Sequence, residues 1–311
     1  MQRVRRTIPA VVAIAVLAVP GTAAAHARGR TAALDYRVRI PAEPLEGVHA
    51  EVIDGDRQLR LRVDTHVRLV VRGLVGEPVA RSGPDGVWAN RASPTAASDK
   101  LAKAGPGWVR LTRGHSLTWH DHRLAPPPGI PVGSTAPFAL PVRLGGRAAT
   151  IRGTFEHVPR PPLWPWLIGA AIAIAALAVA ARTRRRRVAL AAVAAMVAAL
   201  GALAQSTGIA TADPIGQTGA WFQTASAALL ALVAAIVLLR AGAVTRAWAA
   251  TIAGAVAAAL SLGSLGVFWH GVVISSLSPG LARLATAAAI VGGSAAAVLG
   301  VLAGDPKAVR R

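Results

Sequence analysis

Residues 114–125, GHSLTWHDHRLA, hold three of the chain's eight histidines, with Asp121 and Arg123 set among them. Imidazoles and a carboxylate at this density can bind a metal, move protons, or tie down a loop. In an extended strand over 116–122, Ser116, Thr118, His120 and His122 share one face, and His115, Leu117, Trp119 and Asp121 share the other. Leu117 and Trp119 mark the second face as the core side. His120 and His122 then project together, and an H-x-H pair on one strand presents two imidazoles to one ion. Zinc or copper(II) needs a third or fourth ligand. His115 could join if a bulge re-aims it, and Asp121 could support an imidazole from behind. The competing reading is structural: Asp121 pairs with Arg123, and the histidines bond loop carbonyls beneath Pro126–Pro128. The structural clasp leads, and the metal site follows it. For catalysis the chain offers no serine elbow, paired carboxylates, H-E-x-x-H or phosphate loop, and it is read as not an enzyme. Gly73-Leu-Val-Gly-Glu-Pro78 lacks the lysine and following helix of a phosphate loop and reads as a turn.

The surrounding chain places this run. Met1–Arg6 is basic, Ile8–Val19 is a short apolar run, Pro20-Gly21 breaks it, and Thr22–Ala27 is rich in small residues. That is the layout of a signal peptide over residues 1–27. Cleavage after Ala25 would leave His26 as the N-terminus, where amine and imidazole together chelate copper(II). Cleavage after Ala27 would discard it. The chain has no cysteine, which excludes disulfides, thiolate ligands and thiol nucleophiles, and its two methionines exclude a methionine-rich copper(I) site.

The net charge of +20 first suggests nucleic acid, but its distribution argues otherwise. Between Arg28 and Arg160 there are 20 basic and 12 acidic residues, and five arginines crowd into Arg182–Arg187. The excess in the exported part fits solubility, or attraction to anionic lipid headgroups or cell-wall polymers. No nucleic-acid partner is expected.

Residues 28–157 read as β structure. Arg57–Asp64 alternates polar and apolar, and Tyr36–Ile40, Val48–Ile53, Gly86–Asn90, Trp108–Leu111, Phe138–Leu144 and Ala148–Phe155 are further strand candidates. This predicts an all-β, immunoglobulin-like sandwich of about eight strands. Residues 158–162 form a proline-rich linker.

Over 163–304 the mean hydropathy of the whole chain, +0.48, is explained by five apolar segments. They run Leu163–Ala181, Val188–Gly208, Trp221–Leu239, Ala247–Val273 and Leu281–Ala303. Each is long enough to cross a bilayer as a helix, which predicts an all-α bundle of five transmembrane helices. Basic residues fall on alternate connections, with 305–311 a basic cytoplasmic tail. The positive-inside rule puts residues 28–157 outside and the C-terminus in the cytoplasm, as a cleaved export signal also requires. Trp164, Trp166, Trp221 and Trp269 sit at the outer ends. No Asp, Glu, Lys or Arg lies mid-span, which disfavours a driven transporter and favours an anchoring bundle or part of a larger complex.

The stretches Gly73–Pro78, Pro84-Asp-Gly-Val-Trp-Ala-Asn-Arg-Ala-Ser-Pro94, Gly107-Trp108 and Trp119-His-Asp-His-Arg123 resemble a family of uncharacterised actinobacterial multi-pass membrane proteins. Those carry a signal peptide, an exported domain with G-E-P, N-x-x-S-P and W-H-D-H-R patterns, and a multi-helix C-terminal region. The resemblance implies architecture and location, and no activity. Members continue after the motif with another histidine and an aromatic, whereas here Leu124-Ala-Pro follows. If that histidine is a ligand, this chain lacks it. A weaker likeness is to exported copper-resistance β-sandwich proteins.

The function expected is therefore a membrane protein presenting an extracytoplasmic β-sandwich as a binding or interaction module. Its partners would be the bilayer and other membrane or cell-envelope proteins. The alternative is copper(II) or zinc homeostasis through His120 and His122, supplemented by His115, Asp121 or His26.

Overall fold

The computed structural model describes residues 32–53, 58–212 and 218–304. The expected signal peptide, His26 and the basic tail lie outside them. Leu34–Pro159 forms one compact unit, and the chain from Arg160 onward belongs to a second.

Among the described residues the first unit has ten antiparallel strands. These are β1 (Tyr36–Arg39), β2 (Val48–Ile53), β3 (Gln58–Val63), β4 (Leu69–Arg72), β5 (Pro78–Gly83), β6 (Gly86–Asn90), β7 (Trp108–Thr112), β8 (Ser116–His120), β9 (Thr135–Leu144) and β10 (Arg147–His157). A seven-stranded sheet runs β1-β10-β9-β4-β5-β6-β7, and a three-stranded sheet runs β2-β3-β8. One core lies between them. Leu59, Leu61, Leu117 and Trp119 from the small sheet meet Val71, Val142, Ile151 and Phe155 from the large one. Alternation produces this face. In β3 Leu59, Leu61 and Val63 are buried while Arg62 between them is exposed, as period-2 geometry demands.

The longest hairpin, β9–β10, pairs from Thr135↔Glu156 to Leu144↔Arg147. Its two-residue turn is Gly145-Gly146, with φ of +55° and +88°. A turn with two left-handed residues matches the twist of the strands it joins, and glycine adopts it without a Cβ clash. A short helix, α1 (Pro94–Ser98), interrupts the β pattern. Its Ala96 is fully buried and joins the common core.

The second unit is helical: α2 (Trp164–Ala180), α3 (Arg184–Ala212), α4 (Thr218–Arg240), α5 (Ala243–Ser261), α6 (Pro279–Ala287) and α7 (Gly293–Gly304). Among the described residues four stretches are long and apolar enough to cross a membrane: Arg184–Ala212, Trp221–Arg240, Ala243–Phe268 and Pro279–Gly304. The remaining helix, α2, is apolar and 17 residues long. The segment expected to run as one helix from Ala247 to Val273 tightens into a 3-10 turn over Leu262–Phe268 and becomes extended at Val272–Val273. Gly263 and Gly266 fall in that turn, where glycine weakens α-helix. The last span contains a single π turn, Ala288–Gly292, between α6 and α7.

The bundle core is mainly alanine and glycine, with Leu238, Leu299 and the polar Gln205 and Thr286 among them. Ala191, Ala195, Ala198 and Ala199 of α3 are all fully buried, with Ala250 and Ala257 of α5 and Ala296 of α7. Small side chains let backbones approach closely. At the α5–α7 crossing a Cβ on Gly254 would lie 2.5 Å from the Gly293 carbonyl oxygen, so no larger residue fits there without moving a helix. Outward, Leu229, Leu232, Leu239 and Val298 are each more than half exposed. An apolar shell of this extent requires an apolar solvent, and the chain is a membrane protein.

Candidate functional site

The W-H-D-H-R run begins on β8 and ends in a turn. Leu59↔Trp119 and Gln58↔His120 are paired across β3–β8. Leu117, Trp119 and Asp121 are buried and Thr118 and His120 point outward, so the expected alternation holds through Asp121. The strand then stops. Asp121 caps a 3-10 turn over His122–Leu124, its Oδ1 accepting the Arg123 N–H at 2.9 Å. Leu124, 1% exposed, anchors the turn in the core.

That turn removes His122 from the outward row. The two imidazoles expected to project together are held by different partners. His120 Nε2 lies 3.3 Å from Gln58 Nε2. His122 Nδ1 hydrogen-bonds Asp99 Oδ1 at the C-terminal end of α1. His115 precedes the strand, and its Nδ1 is buried without a hydrogen-bond partner. It borders a small gap between the sheets together with Ser82 and Leu117. Both Asp121 oxygens belong to Arg123, as described next. Among the described residues no group of three or more His, Asp or Glu side chains is arranged to hold a metal ion.

Arg123 is the centre of the cluster. Its Nε donates to Asp121 Oδ1 at 2.7 Å and its Nη2 to Asp121 Oδ2 at 2.6 Å. This is a fork-on-fork pair, in which planar guanidinium and carboxylate match two bonds at once. Nη1 donates to the Arg72 carbonyl at 2.7 Å. The Asp121 and Arg123 side chains are 2% and 13% exposed. The predicted ion pair is therefore present and buried, and it also binds β8 to the end of β4.

The turn that follows Arg72 carries the next link. Gly73 N–H donates to the Glu77 carbonyl at 2.7 Å, and any side chain at Gly73 would collide with the Glu77 carboxylate. That carboxylate accepts from the Ser93 hydroxyl at 2.7 Å and the Thr95 N–H at 3.3 Å. Ser93 Oγ in turn accepts the Ala96 N–H at 3.0 Å, capping α1. Asn90 Nδ2 donates to the Pro78 carbonyl at 2.8 Å. The G-E-P, N-x-x-S-P and W-H-D-H-R stretches are thus parts of one hydrogen-bonded network, with α1 as its bridge.

Two carboxyls in this network titrate abnormally, in opposite senses. Partial burial pushes Glu77 up. The hydrogen bonds from Thr95 and Ser93 and from the Glu77 and Thr95 N–H groups outweigh it and bring the carboxyl from 4.5 down to about 2. Asp99 moves upward: burial of a side chain with 0% exposure dominates, aided by the nearby Asp121 charge and opposed by His122 and Arg123.

Sequence reasoning missed Asp99, Gln58 and Glu77 as partners. Ser93-Pro94, a capping residue followed by proline, was the available signal for α1 and hence for Asp99 at its end. Nothing local pointed to Gln58.

Chemically, the cluster offers two exposed imidazoles, His120 and His122, and only the second has a carboxylate behind it. His122 is 59% exposed while its Asp99 partner is fully buried, an imidazole oriented from behind by a carboxylate. No family profile, curated protein or solved structure matches the chain.

Removing Arg123 alone strands the Asp121 charge. Arg123→Met should cost about 3–5 kcal/mol of unfolding free energy. The double change Asp121→Leu/Arg123→Met should cost less than Arg123→Met, and denaturant unfolding of all three proteins measures the difference. Glu77 predicts a pH signature. Its folded value lies below the unfolded one, so its contribution is complete above pH 4.5 and is lost as pH falls toward 2. The stability gap between wild type and Glu77→Gln should close over that window. Asp99 works the other way, since its raised value favours the folded state at pH below its ordinary 3.8 and loses that advantage as pH rises. Thermal melts at stepped pH read both.

Proposed function

We propose that this protein is a five-span membrane protein that holds an immunoglobulin-like sandwich outside the cytoplasm as a binding module. The observation that carries this reading is a β unit with its own closed core followed by four span-length apolar helices. The shared core of two antiparallel sheets supports sandwich packing, here with one widened sheet. The fifth span is α2: every one of its residues is at least partly exposed and nearly all are apolar, which favours lipid around it. Five spans place the β unit and Gly304 on opposite sides, and the arginines at 182, 184–187, 240 and 246 then face the cytoplasm. The network around Arg123 serves as the rigid frame of the module, which is non-enzymatic, and its partners are the bilayer and envelope components.

A second reading rests on His122. Because Asp99 holds one ring nitrogen, the imidazole is fixed as metal-bound histidines commonly are. Copper(II) or zinc would then bind at His122, with His120, His115 or Asp121 joining only after rearrangement; His26, the other candidate, lies outside the described residues.

The absence of cysteine allows both readings to be tested cleanly. Thr65→Cys, on an exposed turn of the β unit, and Gly242→Cys, between α4 and α5, are single labelling sites. With five spans a membrane-impermeant maleimide should label Thr65→Cys in intact cells and Gly242→Cys only after permeabilisation. Equal labelling of both would mean an even number of spans between them, and α2 would not cross. Calorimetric titration of the full chain with copper(II) and zinc separates the two readings: on the first, it should show nothing tighter than tens of micromolar. Tight binding that disappears in His120→Ala/His122→Ala would replace the first reading with the metal one.

A further inference from the structure

The outer face of the seven-stranded sheet is strongly cationic. One pairing row crosses five adjacent strands: Arg143 of β9 opposes Val70 of β4, Val70 opposes Arg81 of β5, Arg81 opposes Trp88 of β6, and Trp88 opposes Arg110 of β7. Guanidiniums thus recur on every second strand. Strands lie about 4.8 Å apart, so the three span roughly 19 Å at about 10 Å intervals. Arg81, Arg110 and Arg143 are all exposed, as is Arg152 on β10. Among the described residues none of these four forms an ion pair. The acid that the register places on this face, Glu156, is held by Arg39 at 2.8 Å and Arg37 at 3.8 Å.

The row is also ordered. Arg81 lies 5.2 Å from the centre of the Trp88 ring and 5.0 Å from that of Trp108, and Arg110 lies 5.5 Å from Trp88. Cation–π contacts hold the guanidinium planes against the sheet and leave their N–H edges for an oxyanion. Pre-ordered side chains lose less entropy on binding.

The geometry points to an extended polyanion, its charges phosphate or carboxylate, as the ligand of this face: an anionic envelope polymer lying across the strands. Two other polyanionic surfaces fit less well. A bilayer surface would favour free apolar side chains for insertion, but the two indoles here are engaged by arginine. Single-stranded nucleic acid binds by base stacking on open aromatic faces, and guanidiniums already occupy Trp88. The envelope setting rests on the orientation proposed above.

Binding of linear polyphosphate to the full chain in zwitterionic nanodiscs tests the face itself, independently of orientation. Arg81→Gln/Arg110→Gln/Arg143→Gln should weaken binding at least tenfold and reduce the slope of log K against log salt by about 2–3. Arg62→Gln/Lys103→Gln/Arg113→Gln removes the same charge from elsewhere on the β unit and should change affinity less than threefold. Orthophosphate should compete poorly. Equal losses in the two variants would reduce the effect to net charge and overturn the inference. Tighter binding to phosphatidylglycerol vesicles or to oligothymidine than to polyphosphate, with the same arginine dependence, would overturn it in favour of a membrane or nucleic acid. If polyphosphate binds as expected but Thr65→Cys is not labelled from outside, the face stands and the envelope setting falls. If Thr65→Cys is labelled and polyphosphate does not bind, the orientation stands and this inference falls.

Discussion

A guanidinium carries five donors and no acceptor, so below a protein surface it must be met by oxygens on several sides. Arg123 is met by both oxygens of Asp121 and by the Arg72 carbonyl. That single side chain joins the end of β4 to the turn after β8, which belong to different sheets. The consequences run outward from it. Asp121 is drawn inward and caps the turn, the turn carries His122 away from His120, and His122 reaches Asp99 at the end of α1. From the Arg72 side, the Gly73–Pro78 turn places Glu77 on the opposite end of the same helix. A five-residue helix is too short to persist alone in water, and here its two ends are fixed by Glu77 through Ser93 and by Asp99 through His122. In a chain without disulfides, this buried polar network does the joining that covalent bridges do in many exported domains.

The helical unit solves the reverse problem. Its interior is mostly alanine and glycine, with buried polar side chains at Gln205, Ser261 and Thr286, and bonds such as Gln223 Nε2 to the Leu260 carbonyl and Arg184 Nε to the Ala303 carbonyl are too sparse to fix its helices alone. Close approach does, because dispersion between small side chains and neighbouring backbone falls steeply with distance. Gly254 against Gly293 and Gly201 against the Ala285 carbonyl set those distances. The π turn at Ala288–Gly292 adds a residue to one turn just where α3 is contacted by Gly292. The β unit thus adds a polar network to its apolar core, and the helical unit relies chiefly on the absence of bulk, which fits an aqueous and a lipid setting respectively.

Much of this was legible in the sequence, and the exceptions share a cause. Strands with clean alternation, such as β3 and β8, were readable, as were the apolar spans. β5 was missed because Pro78–Gly83 buries four of its six residues without alternating, and α1 was missed because five residues are too few to show a period. The H-x-H pair misled because alternation predicts facing only while a strand lasts, and the capping carboxylate that ends this strand is the middle residue of the motif itself. The Asp121–Arg123 pair was legible from their spacing. Gln58 and Asp99 were not, because their meeting with the histidines spans 62 and 23 residues of chain.

The division between buried and exposed groups bears on where recognition takes place. Of the motif residues, Asp121 and Arg123 are spent on the frame, and Asp99 is hidden behind His122. The W-H-D-H-R residues therefore build the unit more than they advertise it. The outer sheet face is made differently: its arginines lie on strand positions that packing leaves unconstrained, and each is stacked or exposed instead of buried. The charges on that face are exposed to solvent, so attraction to it responds to salt. The frame loses stability in acid through the depressed Glu77, which the raised Asp99 opposes. A loss of binding caused by acid unfolding of the frame and one caused by screening of the face are thus separable in solution, because ionic strength moves the second and leaves the buried Arg123 pair largely untouched.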